Sequence, residues 1–512
     1  MSKPDILLII LDTLRRDRLS VYGHTRPTSP GFDEFAARST LFERAVAPSQ
    51  WTIPAHSSIF TGLYPSAHGV IEANGQLSPT HPTLAEILQV GGYHTVAFCN
   101  NPLVGALDNG LQRGFDAFYN YASAVPNRPN DPETGSLRRH FRRWFRPYAR
   151  RIGNHFAQSD ELFRVSLHPL LTPIWSKYIN FKGNTARSID DLIGYWDAYH
   201  QGGTDQPLFT FVNLMGAHLP YHPPQDVMNR IAPELRSDRA AYRYMNQFNA
   251  DAASWASPPE TPFSEWQRVV LNGFYDAEIA YQDHYLNKLL NHLLTTGALD
   301  HTCVIVAADH GEGHGEHDLF GHSFNVYQEL VHVPLAIHAP DFAPGQHVSE
   351  NVSTRRLFHT ILDLAGMTPP LDENDPNANV AGLSLLNALK RSSDSEGGLA
   401  FSEAFPPSIF LNVLEHNSPA LVDRLRLRQV RRAVYDGDHK LVMREDQVEG
   451  LFDVANDPAE TRDLTADQPK EIEALEGKVK AFVETMGQPP DVHTAEADAK
   501  VIEQLKALGY IE

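Results

Sequence analysis

Short apolar runs recur along the chain as "DILLIIL", "HTVAFC", "PLFTFVNL", "TCVIVAA" and "VPLAIHA". Between them lie stretches whose apolar positions fall three and four residues apart, such as "SPGFDEFAARS", "PTLAEILQVGG" and "FYDAEIAYQDHYLNKLLNHLL". A continuous apolar run of strand length marks a strand buried on both faces. Its alternation with amphipathic helices predicts a mostly parallel sheet covered on both sides. Ligands of such sheets bind beyond the carboxyl ends of the strands. Four of the runs end in, or lead into, a polar residue there: Asp12, Asn100, Asn213 and Asp309.

The pattern changes near Pro370, where "TPPLDENDPNANVAG" and then "RSSDSEGG" punctuate the chain. The strand-like pieces that follow, "LAFSEAF", "QVRRAVYDGDHKLVM" and "EGLFDV", are short and joined by turn residues such as Asp436-Gly437. They predict a small antiparallel sheet, packed by a helix from about Lys470 to Met486. The expected organisation is α/β. A large mixed, mostly parallel sheet sandwiched by helices occupies 1–395, with an insertion at about 120–185. A small α+β subdomain follows over 396–490, and "AKVIEQLKALGYIE" makes a helical tail within 491–512.

The 512 residues are 42% hydrophobic and carry a formal charge of −20, from 63 acidic and 43 basic side chains. Such a balance argues against binding nucleic acid, so an anionic substrate must be attracted locally. The two cysteines, Cys99 and Cys303, sit inside apolar runs, which excludes a disulfide framework and suits a reducing compartment. The first apolar run is too short to span a membrane, and no signal-peptide cleavage pattern follows it. A cytoplasmic location without a transmembrane segment is therefore expected.

Asp12 and Asp309 end buried strands, and Asp309 opens "DHGEGHGEHDLFGH", which contains His310, Glu312, His314, Glu316, His317 and His322. An aspartate beside a histidine at a strand end can offer one cation a hard oxygen and an imidazole. So dense a set of histidines is uncommon in a solvated loop, which favours a metal site. The segment "WTIPAHSSIFTG" reads as a helix that starts near Thr52, has Pro54 in its first turn and stops at Gly62. Thr52 is expected at or next to the N-cap. Plain capping would be worth about 1 kcal/mol, but the helix start also favours negative charge and could activate the hydroxyl. His56, one turn on, and His218, in the proline-rich "GAHLPYHPP", are candidates for the same pocket.

In "DILLIILDTLRRDRLSVYG", "WTIPAHSSIFTGLYPSAHGV", "TLAEILQVGGYHTVAF", "VIVAADHGEGHGEHDLFGH" and "VYQELVHVPLAI", the chain resembles the sulfatase branch of the alkaline phosphatase superfamily. The likeness runs over nearly the whole length. It implies an alkaline phosphatase-like fold and a metal held by Asp12, Asp309 and His310, with the nucleophile at the start of the Thr52 helix. The departures are specific. Most sulfatases carry cysteine or serine at the head of C-x-P-x-R and oxidise it to formylglycine; here that pentapeptide is "TIPAH", so no formylglycine is expected. The family's second aspartate is Thr13, its arginine is His56, one lysine is approximated by His322, and the other is missing near Asn100 and Asn101.

The expected mechanism follows from this set. One divalent ion, calcium, manganese or zinc, binds Asp12, Asp309, His310 and Thr52, and Thr52 attacks the ester. His218 protonates the leaving alcohol, while His56 and His322 neutralise non-bridging oxygens. Sulfate, phosphate and phosphonate esters of small molecules or glycans all remain open, as do phosphodiester cleavage, phosphoryl transfer and a catalytically silent ester-binding role. A homo-oligomer is compatible with the sequence. The basic segment Ser136–Phe156 reads first as a solvated helix and second as a polyanion or membrane contact. Asp276 and Asp283, seven apart on one helix, read as salt-bridging rather than catalytic residues.

Overall fold

A computed structural model describes residues 3–122, 126–129, 172, 181–255, 257–372, 375–390 and 394–487. The basic segment 136–156 and the tail 491–512 lie outside the described residues. The main sheet has eight strands: β1 (Asp5–Leu11), β2 (Thr40–Val46), β3 (His94–Cys99), β4 (Ala117–Asn120), β5 (Leu208–Leu214), β6 (Thr302–Ala307), β9 (His332–His338) and β10 (Gln346–Ser353). A two-stranded ribbon, β7 (Gly313–His314) with β8 (Phe320–Gly321), lies between β6 and β9 in the chain.

The strand order is β10-β2-β9-β6-β1-β5-β3-β4. Only β9 runs against the rest, being antiparallel to both β6 and β2, while the other pairings are parallel. β1 lies at the centre, and Ile6 to Ile10 are fully buried, as continuous apolar strands between helical layers must be. Register brings Ile10 of β1 opposite Asn213 of β5 and Ala307 of β6, and Cys99 of β3 opposite Asn213. The chain ends that follow these strands therefore emerge side by side on one edge. The 31-residue helix Glu265–Thr295 opens with a capping box, Ser264 with Gln267, and packs against the helices Pro30–Ala36, Thr185–Gln201 and Gln225–Ile231.

The smaller sheet is wholly antiparallel, in the order β11 (Leu399–Ala404), β12 (Arg431–Asp436), β13 (His439–Arg444) and β14 (Gln447–Asp453). Leu475 and Val479 of the helix Pro469–Met486 pack on Val434, Leu441 and Leu451. This lobe grips the approach to the Thr52 helix. Glu403 N–H donates to the Pro48 carbonyl, and Gln50 Nε2 donates to the carbonyls of Ser323 and Phe405. A buried ion pair, Lys440 with Glu460, completes the contact, its ammonium also donating to the Val326 carbonyl at 2.7 Å.

Asp276 and Asp283 part company. Asp276 is paired with Arg26, Arg18 and His24, as expected. Asp283 has no basic partner among the described residues; it accepts from the N–H groups of Gly31 and Phe32 at the start of the helix Pro30–Ala36, and burial raises its pKa to about 7.

Candidate active site

Asp12 and Asp309 face each other at the carboxyl edge, both fully buried. Asp12 Oδ2 accepts from Asn101 Nδ2 at 2.7 Å and from Asn213 Nδ2 at 3.0 Å, while its Oδ1 has no partner. Asp309 Oδ1 accepts from the N–H groups of His310 and Thr13, and its Oδ2 is likewise without a hydrogen-bond donor. Burial pushes both carboxyl pKa values up, and the Asp12 charge raises Asp309 further. Two orphaned carboxylate oxygens in one dry pocket are costly unless a cation joins them. That is the physical test a metal site must pass, and these residues pass it.

The neighbouring donors sort by tautomer. His310 Nδ1 lies 2.9 Å from the Gly311 carbonyl, which only an N–H satisfies, so its Nε2 lone pair faces Asp309 Oδ2 at 3.3 Å and Thr52 Oγ1 at 3.3 Å. Asp12, Asp309 and His56 also offer atoms within 4.8 Å of one another, with His56 Nδ1 3.4 Å from Asp309 Oδ2. That nitrogen, however, carries the proton it gives to the Thr52 carbonyl at 2.9 Å. Of the two histidines, only His310 turns an unprotonated nitrogen towards Asp309, so it is the one that could serve a cation beside Asp12 and Asp309, with the Thr52 hydroxyl next to it. An imidazole in the set suits manganese or zinc, whereas oxygen-only sets are typical of calcium.

Thr52 is not the helix cap. Trp51 holds the N-cap position with extended angles, and Thr52 is the first residue of the helix Thr52–Thr61. Its position next to the N-cap is as expected, but its hydroxyl makes no capping bond and lies 3.3 Å from His310 Nε2, so plain capping does not account for it. The helix ends at Gly62 in the left-handed region, φ 74°, where a Cβ would strike His359 at 2.6 Å.

His56 departs from the charge-neutralising role expected of it. Burial lowers its pKa to about 4, and both ring nitrogens are engaged, Nδ1 on Thr52 and Nε2 with Asn213 Nδ2 at 3.3 Å. It is neutral and holds the Thr52 helix to the end of β5. His218 is also neutral at rest: burial, then the neighbouring His322, lowers it to about 3, and its Nδ1 donates to the Leu219 carbonyl. His322 shifts the other way. Burial alone would discharge it, but Glu312 Oε1, 2.8 Å from Nδ1, outweighs this and raises the pKa. Its ring lies 4.6 Å from that of His310 and 5.3 Å from that of His218.

The rest of the histidine-rich loop is structural. His314 bonds Tyr221 and Asn272, Glu316 pairs with Arg15, and His317 stacks on Tyr327 at 3.8 Å. Thr13, where the family places a second aspartate, stands at φ 57°, an unfavourable conformation for a β-branched residue. Its hydroxyl donates to the Asp12 carbonyl and so is turned away from ligation. Asn100 is buried with both amide atoms unpartnered. Sequence reasoning missed the Phe181–Gly183 segment. Phe181 sets its ring 5.7 Å from His218, Lys182 Nζ bonds Glu278 and the Pro220 carbonyl, and a Cβ on Gly183 would come within 2.8 Å of Asn100. A lysine between an aromatic residue and a glycine was the only local signal.

A parallel-rich sheet with paired carboxylates, a helix-start hydroxyl and a cluster of histidines at one edge defines an ester hydrolase of the alkaline phosphatase-like class. A profile of the Sulfatase family matches residues 4–367, and the chain belongs to that family. Arylsulfatase K of Bos taurus is 24% identical over 506 residues, covering 96% of this chain and 83% of its own. A Delta 4,5-hexuronate-2-O-sulfatase of Bacteroides thetaiotaomicron is 23% identical over 478 residues, covering 91% and 85%. The phosphonate monoester hydrolase of Agrobacterium radiobacter shares the fold with a TM-score of 0.64 at 22% identity, covering 94% of this chain and 95% of its own.

Proposed function

We propose that the protein hydrolyses sulfate, phosphate or phosphonate monoesters with Thr52 as nucleophile and a divalent cation held by Asp12, Asp309, His310 and the Thr52 hydroxyl. The observation that carries this reading is the Thr52 hydroxyl, free of any capping duty, directed at His310 above two unpartnered carboxylate oxygens. A cation bound there supplies Lewis-acid polarisation of the ester oxygens and lowers the pKa of the hydroxyl. Thr52 gives up its hydroxyl proton to solvent and its oxygen bonds to the sulfur or phosphorus as the bond to the leaving oxygen breaks; the leaving oxygen takes a proton to depart as the alcohol, and water later hydrolyses the threonine ester to free the sulfate, phosphate or phosphonate.

The resting protonation states move the acid role from His218 to His322, whose proton Glu312 retains. His56 positions the Thr52 helix, and Asn101 and Asn213 orient Asp12. The name of the hexuronate sulfatase relative supports a glycan-borne ester, and the fold shared with a phosphonate hydrolase supports phosphorus esters. The test is turnover by manganese-reconstituted protein of 4-nitrophenyl sulfate, phosphate and phenylphosphonate, with Thr52→Ala as control. Turnover of at least one ester, lost in Thr52→Ala, is expected. Metal retention with no turnover of any would instead establish a silent binding protein.

A further inference from the structure

Apart from the site, the chain carries a groove of about 810 Å³ lined by Gln225, Arg236, Arg239, Arg243, Asn246 and Gln247. The helix Arg239–Ala250 forms one wall, anchored by Ala241, Met245 and Asn249 on its buried face. Arg239, Arg243, Asn246 and Gln247 lie on the opposite, exposed face, at helical spacing. Among the described residues none of the three guanidinium groups has an ion-pair or hydrogen-bond partner, whereas Arg26, Arg44 and Arg128 each sit on a carboxylate. Asp238, the nearest acid in sequence, is engaged with the N–H groups of Ala240 and Ala241. Three uncompensated guanidinium groups side by side are conspicuous in a chain of net charge −20.

The groove is tied to the reaction edge. Asn249 exchanges two hydrogen bonds with the backbone of Tyr221, at 2.7 and 3.0 Å, and so clamps the helix to the loop that carries His218. Gln225, at the groove, follows the same loop four residues further on. Arginine forks match carboxylate and sulfate oxygens in pairs, and side-chain amides match hydroxyls. We propose that this groove is a subsite for an anionic oligosaccharide, which holds sulfate or uronate groups of a chain whose reacting ester lies at Thr52. The proposal rests on the glycan-ester reading above; the subsite itself is defined by the arginines alone.

The test uses the full chain and an Arg239→Gln/Arg243→Gln variant, with size-graded heparin-derived oligosaccharides as probes. Calorimetry should show the tetrasaccharide and hexasaccharide binding about tenfold more weakly to the variant, as loss of two exposed charge contacts allows. KM for a 4-nitrophenyl ester should stay unchanged, which separates the subsite from the reacting centre. Equal oligosaccharide affinity in both proteins overturns the proposal. So does tighter binding of duplex DNA or of an acidic peptide than of the hexasaccharide, or competition by inorganic sulfate at the oligosaccharide's own affinity. If the wild type binds oligosaccharides through these arginines yet turns over no ester, the subsite stands and the catalytic reading falls.

Discussion

Replacing Asp309 by Asn should stabilise the protein when metal is stripped and destabilise it, relative to wild type, when metal is present. The carboxylate oxygens that Asp12 and Asp309 offer lie within 4.8 Å of each other. With both ionised and an effective dielectric constant of about 20, their repulsion is at least about 3.5 kcal/mol. Asn keeps an oxygen to accept from Thr13 and His310 N–H, and its amide can donate towards His310 Nε2, so the substitution removes charge at little cost in shape. Because both carboxyl pKa values are raised on folding, their stabilising contribution is complete below the unfolded value near 3.8 and is lost as pH rises through the folded ones. The metal-free wild type should therefore weaken from pH 5 to pH 8, and Asp309→Asn should weaken less. At pH 8 in EDTA the variant should be more stable by up to about 3 kcal/mol, a rise in Tm on the order of 3 °C for a chain this large. Manganese at about 1,000 times its Kd should add about 4.1 kcal/mol to the wild type alone and reverse the order. Differential scanning calorimetry at both pH values reads all four arms. A wild type that melts above Asp309→Asn in EDTA at pH 8, or that gains nothing from manganese, refutes the paired-carboxylate account.

Glu312→Gln removes the charge that keeps His322 protonated, so the alkaline limb of the kcat/KM profile should move to lower pH; an unmoved limb would show that His322 is not the acid. Lys440→Met leaves Glu460 buried and uncompensated, and chemical denaturation should show a loss of about 3–5 kcal/mol, whereas Lys440→Met/Glu460→Leu should recover most of it. His56→Ala frees the Thr52 carbonyl and Asn213, and should cut kcat about tenfold or more with little change in KM; a pure KM effect would place His56 in substrate binding instead.

The apolar runs made β1, β3, β5, β6 and β9 legible, because a strand covered on both faces has few other patterns available. Three strands of the main sheet were hidden. β2 carries Glu43 and Arg44 where its register slips against β9, β4 has only four residues, and β10 is a polar edge strand, "QHVSENVS". The carboxylates and His310 were legible because strand ends and local spacing fix them. Protonation was not. Whether His56, His218 or His322 carries charge depends on burial and on Glu312, ten residues from His322 in sequence and 2.8 Å away in space. Thr52 and its cap differ by one residue, within the usual uncertainty of a helix boundary, yet that residue decides where the hydroxyl points.

The central claim is that Thr52 takes up the transferred group. Mass spectrometry of peptides from acid-quenched turnover, with the preferred aryl ester in excess, reads it directly. The account predicts one added sulfuryl or phosphoryl group on the peptide that contains Thr52, absent from Thr52→Ala along with turnover. An adduct on another residue, or turnover that persists in Thr52→Ala, would contradict it.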